Sequence, residues 1–308
     1  MGRYVVRRLL QLVPVFFGTT FLIYGLVFLL PGDPIQRLFG ERQPDPTQAA
    51  RLRDAYNLDD SFIVQYLKYI GGVLTGDFGT TYTGREVSQI LLERWPITLQ
   101  LALTAIVIEI VFGIGLGLLA GIRRGGFADR TVLVTTLVVV SIPVFVLGIV
   151  VQYIFGVKLG WFPATGITDG WPMSYLLPAT VIAALSLAYV ARLTRTSLVE
   201  NLRTDYVRTA VAKGLPRRRV IGVHAFRNSL IPVVTFIGAD LGFLMAGAVV
   251  TEGIFNIPGI GNALFTAVRL GEAPVVVGIT TFLVVMILLV NLLVDVLYGV
   301  LDPRIRYE

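Results

Sequence analysis

The 308-residue sequence has no cysteine and one histidine, His224. The first absence excludes disulfides, thiolate metal sites and a cysteine nucleophile, and the second excludes a site built from several histidines. Charge is also scarce: 15% of residues are Asp, Glu, Lys or Arg, where a soluble domain carries about 25%. The phosphate-binding pattern Gly-x4-Gly-Lys-Ser/Thr does not occur, so the chain lacks that route to ATP. No paired His/Asp metal cluster and no nucleophile–base set is recognisable, which argues against a membrane-embedded enzyme, and no cofactor is expected. No fixed-period repeat or low-complexity stretch is evident.

What is abundant is apolar sequence. Hydrophobic residues make up 55% of the chain and mean hydropathy is +0.76. A helix needs about 20 apolar residues to cross a hydrocarbon core of about 30 Å. Six segments qualify: Leu9–Leu30, Pro96–Ile122, Thr131–Val157, Met173–Ala191, Ser229–Thr251 and Ala273–Leu301. The first, with 22 uncharged residues, is too long for a cleaved signal peptide's apolar core of about 7–15 and lacks a small-x-small cleavage site. The expected fold is an all-α polytopic membrane protein with six spans. Its parts are 1–30 (tail and first span), 31–95 (an extracytoplasmic insertion) and 96–308 (a core with five spans and an inner loop at 192–228).

The net charge of +6 follows membrane sidedness rather than a nucleic-acid surface. Six crossings put both ends on one side. Short loops on that side carry Arg123, Arg124 and Arg130, whereas short loops opposite carry only Lys158 and Arg269. Positive charge collects on the cytoplasmic side, so both termini are read as cytoplasmic. Trp161, Trp171 and Tyr175 are read as interfacial anchors.

In the outer insertion, Gly71-Gly72, Gly76, Gly79 and Gly84 signal turns. Phe62, Tyr66, Tyr69 and Ile70 have helical spacing, and Asp59-Asp60-Ser61 offers cap chemistry before them.

The stretch Arg192–Arg227 holds nine Lys or Arg against two acids, Glu200 and Asp205. Ser197-x-x-Glu200 fits a capping box, and Leu198, Leu202 and Tyr206 form an apolar stripe. Gly214 can close a short helix in the left-handed conformation, and Pro216 can open the next. Arg217, Arg218 and Arg219 then occupy a first turn, where the helix dipole disfavours cations. The pattern predicts helix, sharp turn, helix, protruding into the cytoplasm. A plain basic loop near anionic lipid is the simpler alternative to a docking element. His224 reads as a structural hydrogen-bonding residue.

Three acids sit within spans. Glu109 lies near Gly113, Gly115, Gly117 and Gly121, which allow close helix approach. Asp240 lies between Gly238 and Gly242, and Asp295 is placed to reach water or an inner-loop arginine. Intramembrane charges cost roughly 2.5–3.5 kcal/mol on insertion scales and so face protein or water. Glu109 and Asp240 therefore either line a passage and meet a cationic substrate, or bond to a neighbouring helix or subunit.

Asp205-Tyr-Val-Arg-Thr-Ala-Val-Ala-Lys-Gly-Leu215 and His224-Ala-Phe-Arg-Asn228-Ser-Leu-Ile-Pro232 resemble the signature loop of binding-protein-dependent ABC importer permeases, specifically the B-type permease of the dipeptide/oligopeptide/nickel branch. Leu30-Pro-Gly-Asp-Pro34, Leu74-Thr-Gly-Asp-Phe-Gly79 and Thr251-Glu-Gly-Ile-Phe-Asn-Ile-Pro-Gly-Ile-Gly261 agree with it. The resemblance departs from the wider family pattern at Arg208, where an acid usually stands.

It implies the type I ABC importer permease fold in a bacterial cytoplasmic membrane. It further implies coupling through Asp205, Tyr206, Arg208, Thr209, Ala210, Lys213, Gly214 and Leu215 to two cytoplasmic ATPase subunits. A second permease subunit, an extracytoplasmic substrate-binding protein and peptide cargo complete the implied set, with no ATPase activity in this chain. Glu252, Phe255, Pro258, Gly259 and Gly261 are implied as an outer gate or binding-protein contact. The sequence alone leaves open a nickel, haem or sugar cargo, and an ion- or proton-coupled secondary transporter that uses Glu109 and Asp240.

Overall fold

The computed structural model describes residues 2–29, 32–39 and 45–301. Within them the chain is helical, with one isolated bridge between Thr80 and Glu86. Leu30 and Pro31 of the first resemblance motif, and the arginines at the carboxyl terminus, lie outside the described residues. The backbone divides into two compact units, residues 1–98 with 256–308 and residues 99–255.

The first unit contains α1 (Gly2–Phe28), α2 (Pro34–Phe39), α3 (Pro46–Ala55), α4 (Phe62–Leu74) and the start of α5 (Val87–Ile108). The second contains the rest of α5, a π-helical turn (Glu109–Gly113), α6 (Ile114–Ile122), α7 (Phe127–Ser141) and α8 (Val144–Val151) with its π-helical end (Gln152–Lys158). It continues through α9 (Met173–Asn201), α10 (Asp205–Ala212), α11 (Arg217–Arg219), a π-helical turn (Val220–Phe226) and α12 (Arg227–Phe255). The chain returns to the first unit for α13 (Ile260–Leu270) and α14 (Ala273–Leu301).

Among the described residues, five helices are long and apolar enough to cross a bilayer, and six crossings result if the bent pair Phe127–Ser141 and Val144–Lys158 counts as one. The third expected span is thus not a straight rod: its halves meet at 105°. Pro143 is the reason. A residue preceding proline is pushed out of the helical region, and Ile142 is extended at φ −94°, ψ 125°. The fourth expected span, Met173–Ala191, continues as helix to Asn201. Arg192 and Arg195 therefore stand on α9 rather than in a loop.

In the first unit, α4 docks on α1 through aromatic residues. Tyr24, Tyr66, Ile70 and Val277 are buried together, and Phe16, Phe28, Phe62 and Tyr69 pack around them. Thr20 Oγ1 and Tyr66 Oη share a 2.9 Å hydrogen bond, and Tyr66 Oη donates to the Phe17 carbonyl. The helical spacing Phe62–Ile70 is therefore real, but its punctuation differs from the expected one. Ser61 stands at the N-cap without a side-chain bond, and Asp60 instead pairs with Lys68 at 2.6 Å. Gly71 and Gly72 lie inside α4, whereas Gly76, Gly79 and Gly84 do make turns at positive φ. Asp295 meets an arginine, but it is Arg8 of α1, at 3.3 Å.

In the second unit α9 is the hub: 56% of its apolar window is buried, against 11% for α1. Lipid tails provide no hydrophobic force between spans, so close packing of small residues does that work. Gly113, Gly117 and Gly121 form one stripe facing α9. A Cβ on Gly117 would stand 2.5 Å from the Ala191 carbonyl oxygen and 2.6 Å from Thr194 Cβ. Gly115, one face away, meets nothing within 4 Å. A buried fork also ties the α6–α7 connection to α9: Arg195 Nε and Nη2 donate to Asp129 at 2.6 and 2.9 Å, and the Gly125 N–H donates to the same carboxylate at 2.7 Å. Breaking such a pair by removing one partner costs about 3–5 kcal/mol. Trp161 and Trp171 are exposed, as anchors should be, but Tyr175 is buried and is not one.

Gly117→Ala should lower the unfolding free energy by about 1–3 kcal/mol, the usual cost of overpacking, while Gly115→Ala leaves it within about 0.5 kcal/mol. Thermal unfolding of the two variants in one detergent distinguishes them; equal loss would remove the glycine stripe as the α6–α9 seam.

Candidate functional site

The basic turn is built from α9's last turn onward. Ser197 and Glu200, read from sequence as a capping box, fall inside α9. A capping pattern cannot be told from a helix interior when the preceding sequence is itself helical. The short helix instead starts after Thr204, whose backbone is extended (φ −72°, ψ 156°). Its hydroxyl turns back to donate to the Asn201 carbonyl at 2.6 Å.

α10 closes as its glycine predicts. Gly214 is left-handed at φ +73°. Its N–H donates to the Val211 carbonyl, and the Leu215 N–H donates to the Ala210 carbonyl. These are the 5→2 and 6→1 bonds of a Schellman motif. Leu215 then packs onto the cluster that contains Ala210, the apolar contact that accompanies this ending. Pro216 opens the next turn at φ −64°, ψ 142°, with Arg217, Arg218 and Arg219 exposed in it.

One face of α10 is anchored and the other is free. Val207 and Ala210 are buried with Leu198 of α9 and with Val220 and Ala225 of the following π-helical turn. Leu118 and Ile122 of α6 pack against the same cluster. Burial of a side chain such as Val207 contributes about 1.5–3 kcal/mol. Asp205, Tyr206, Arg208, Thr209, Val211, Ala212 and Lys213 are exposed. Of the residues expected to couple, Ala210 and Leu215 therefore face inward and serve as anchors. Beside the helix runs an open groove of about 380 Å³ between Ile122, Leu202, Val211, Leu215 and Ile221, with Arg217 in its wall.

A polar clamp, which sequence reasoning missed, spans the base of the turn. Tyr206 Oη donates to Asn201 Oδ1 at 2.6 Å and accepts from Asn228 Nδ2 at 3.1 Å. Asn228 also donates to the His224 carbonyl at 3.2 Å. Asn201 ends α9 and Asn228 begins α12, so one hydroxyl bridges two spans. The sequence signals were Tyr206 and Asn228, one in each resemblance motif, with nothing to show that they meet. The Asp205–Arg208 pair at 3.3 Å is exposed, a setting in which ion pairs contribute little.

Glu109 and Asp240 come together in the second unit. Glu109 opens the π-helical turn between α5 and α6 and is fully buried, and Asp240 on α12 is nearly so. Their carboxyls lie within electrostatic range of each other, with Ser186 of α9 beside Asp240. Neither Glu109 oxygen, nor Oδ2 of Asp240, has a partner at hydrogen-bond geometry. In this conformation the two acids face each other inside the α5–α9–α12 stack.

The expected outer gate is divided by the boundary between units. Glu252 and Phe255 are buried at the end of α12, where the Phe255 carbonyl accepts from the Gly166 N–H at 2.8 Å. Pro258 and Gly259 precede α13, Gly259 is its extended N-cap, and Gly261 already belongs to its first turn. The Ile260 N–H donates to Thr98 Oγ1 at 2.8 Å.

The sequence matches the family described as binding-protein-dependent transport system inner membrane component over residues 113–307, and the amino-terminal part of such membrane components over residues 1–102. It is 40% identical to the di/tripeptide transport system permease protein DppB of Pseudomonas aeruginosa. It is 38% identical to the dipeptide transport system permease protein DppB of Escherichia coli and 39% identical to the glutathione transport system permease protein GsiC of Salmonella paratyphi A. Each alignment covers 100% of both chains. A chain of the MetNI methionine ABC transporter, solved in an inward-facing form, shares the fold: TM-score 0.59, 18% identity, 70% of this chain and 97% of that one.

Tyr206→Phe removes the clamp while leaving the ring. Losing hydrogen bonds worth about 1 kcal/mol in sum should speed amide exchange across 207–213 by about fivefold. Unchanged exchange there would show that the apolar face alone holds α10.

Proposed function

The chain belongs to the binding-protein-dependent transport system inner membrane component family, and on that premise we propose that it forms half of the passage of an ATP-driven importer for dipeptides and short oligopeptides. It is a transport permease, not an enzyme. ATP hydrolysis belongs to two separate cytoplasmic subunits, a second and different permease chain supplies the other half, and an extracytoplasmic binding protein delivers cargo. Both termini face the cytoplasm. The full-length similarity to di/tripeptide and dipeptide permeases supports the cargo class.

The observation that carries the mechanism is an exposed short helix whose inner face is buried against the ends of its neighbours. Asp205, Tyr206, Arg208, Thr209 and Lys213 meet the ATPase, and an apolar side chain of that subunit enters the groove beside Val211. Closure of the two ATPases displaces α10. Because α10 shares one cluster with α6, α9 and the turn leading into α12, the movement passes to those spans as a shift between discrete packings. Glu252, Phe255, Pro258, Gly259 and Gly261 serve as an outer gate or as contacts for the binding protein. Glu109 and Asp240 join the passage only when the helices around them part.

Uptake of Ala-Ala into vesicles carrying the complete transporter should stop on ATP depletion and persist when ion gradients are collapsed. The reverse pattern would establish a secondary transporter. Deleting Ala210–Gly214 should abolish uptake while leaving membrane insertion intact. Glu109→Gln together with Asp240→Asn should lower uptake of a lysine-containing dipeptide at least about fivefold more than that of Ala-Ala, a difference of about 1 kcal/mol. An equal effect on both peptides would take the pair out of the passage.

A further inference from the structure

A second concave site lies within the first unit. It is a half-open cavity of about 130 Å³ where α1, α3, α4 and the loop before α5 meet the start of α14. One water needs about 10–15 Å³ on such a measure, so the space holds several waters or a small head group. It falls short of the 300–1,000 Å³ of a site for a whole drug-sized ligand.

Its walls combine aromatic rings with negative charge. Tyr24, Phe28, Tyr56, Tyr69 and Phe78 line it, together with Asp77. Tyr24 stacks on Phe28 at 4.4 Å between ring centroids and stands 5.3 Å from Tyr69. Asp77 Oδ1 accepts from the Gly79 N–H at 2.8 Å, and no cation pairs with it among the described residues. Glu272, off the lining but within electrostatic range of Tyr56, is buried and likewise has no ion-pair partner among the described residues. Lys68 is the cation on the lining, and Asp60 at 2.6 Å already offsets it, with Asn57 Oδ1 at 3.0 Å. The balance of the cavity is negative. The charge is felt by the rings: burial first and Glu272 second push Tyr56 up to about 12. Burial also raises Glu272, a carboxyl that gains from a nearby cation.

We propose that this cavity binds a primary ammonium group, held by the rings of Tyr24, Phe28, Tyr56 and Tyr69 with Asp77 as its counter-charge. Aromatic rings attract a cation through their quadrupole, and the attraction grows as water is excluded. An anionic ligand is disfavoured by Asp77, and a neutral one gives it no partner. The ammonium comes either from the free amino terminus of a short peptide or from a small free amine. The site stands whether or not the transporter's cargo is a peptide.

Ligand-observed NMR with the purified complete transporter, without its binding protein, tests this using Ala-Ala, N-acetyl-Ala-Ala and propylamine. At least one of the two ammonium probes should bind, and the acetylated peptide should not. Binding of Ala-Ala alone identifies a peptide terminus as the source; binding of propylamine alone identifies a free amine. Asp77→Asn keeps the acceptor for the Gly79 N–H, so the turn survives. It should weaken binding at least about fivefold, and Tyr56→Leu should do the same through the ring. Equal binding of the acetylated peptide, no binding of either ammonium probe, or binding indifferent to both variants overturns the proposal. Ala-Ala uptake driven by ATP, measured in parallel, reports separately on the importer reading.

Discussion

The burial of Val207 and Ala210 against the ends of three neighbouring segments is the constraint on which the rest depends. An eight-residue helix is far too short to persist alone in water, where fewer than about 12–15 residues are marginal. α10 exists because its inner face is covered, its end is closed by Gly214 and Leu215, and its base is clamped through Tyr206. In the proposed importer, those same attachments make it a handle. A free loop of equal charge would yield under load, whereas a helix sharing one apolar cluster with α6, α9 and the entry to α12 moves them with it.

The membrane portion complements this at the α6–α9 seam. Gly113, Gly117 and Gly121 let α6 approach α9 until any side chain at Gly117 would touch backbone. The Asp129–Arg195 fork fixes α7, the helix that follows α6, to the same α9. Tight, polar-pinned contacts of this kind have few alternative packings, which suits a device that must switch between states rather than drift. The break at Pro143 and the π-helical turn that begins at Glu109 depart from this regularity. π-helical turns of this sort often sit at functional positions.

Much of this was legible in the residues. Apolar runs of span length gave the all-helical membrane fold, and Gly214 followed by Pro216 gave the closing turn with its correct left-handed residue. What stayed hidden has physical reasons. Ser197-x-x-Glu200 carries the chemistry of a helix start, yet the helix was already running, and local chemistry cannot report a register set by tertiary packing. The run around Pro143 is apolar throughout, so hydropathy could not show that its two halves meet at 105°. The meeting of Glu109 with Asp240, and of Tyr206 with Asn228, joins residues distant in sequence. No spacing rule reaches them, and only the resemblance motifs at Tyr206 and Asn228 hinted that those positions mattered.

The central claim is that the outer face of α10 rests on a nucleotide-driven subunit. The chain's lack of cysteine allows a clean test, because Val211→Cys places a single thiol on that exposed face. With a short bifunctional crosslinker and the complete transporter in membranes, the thiol should join this chain to an ATPase subunit, in a yield that changes when ATP is added. Crosslinks to lipid alone, or none to any nucleotide-binding subunit with or without ATP, would contradict the account.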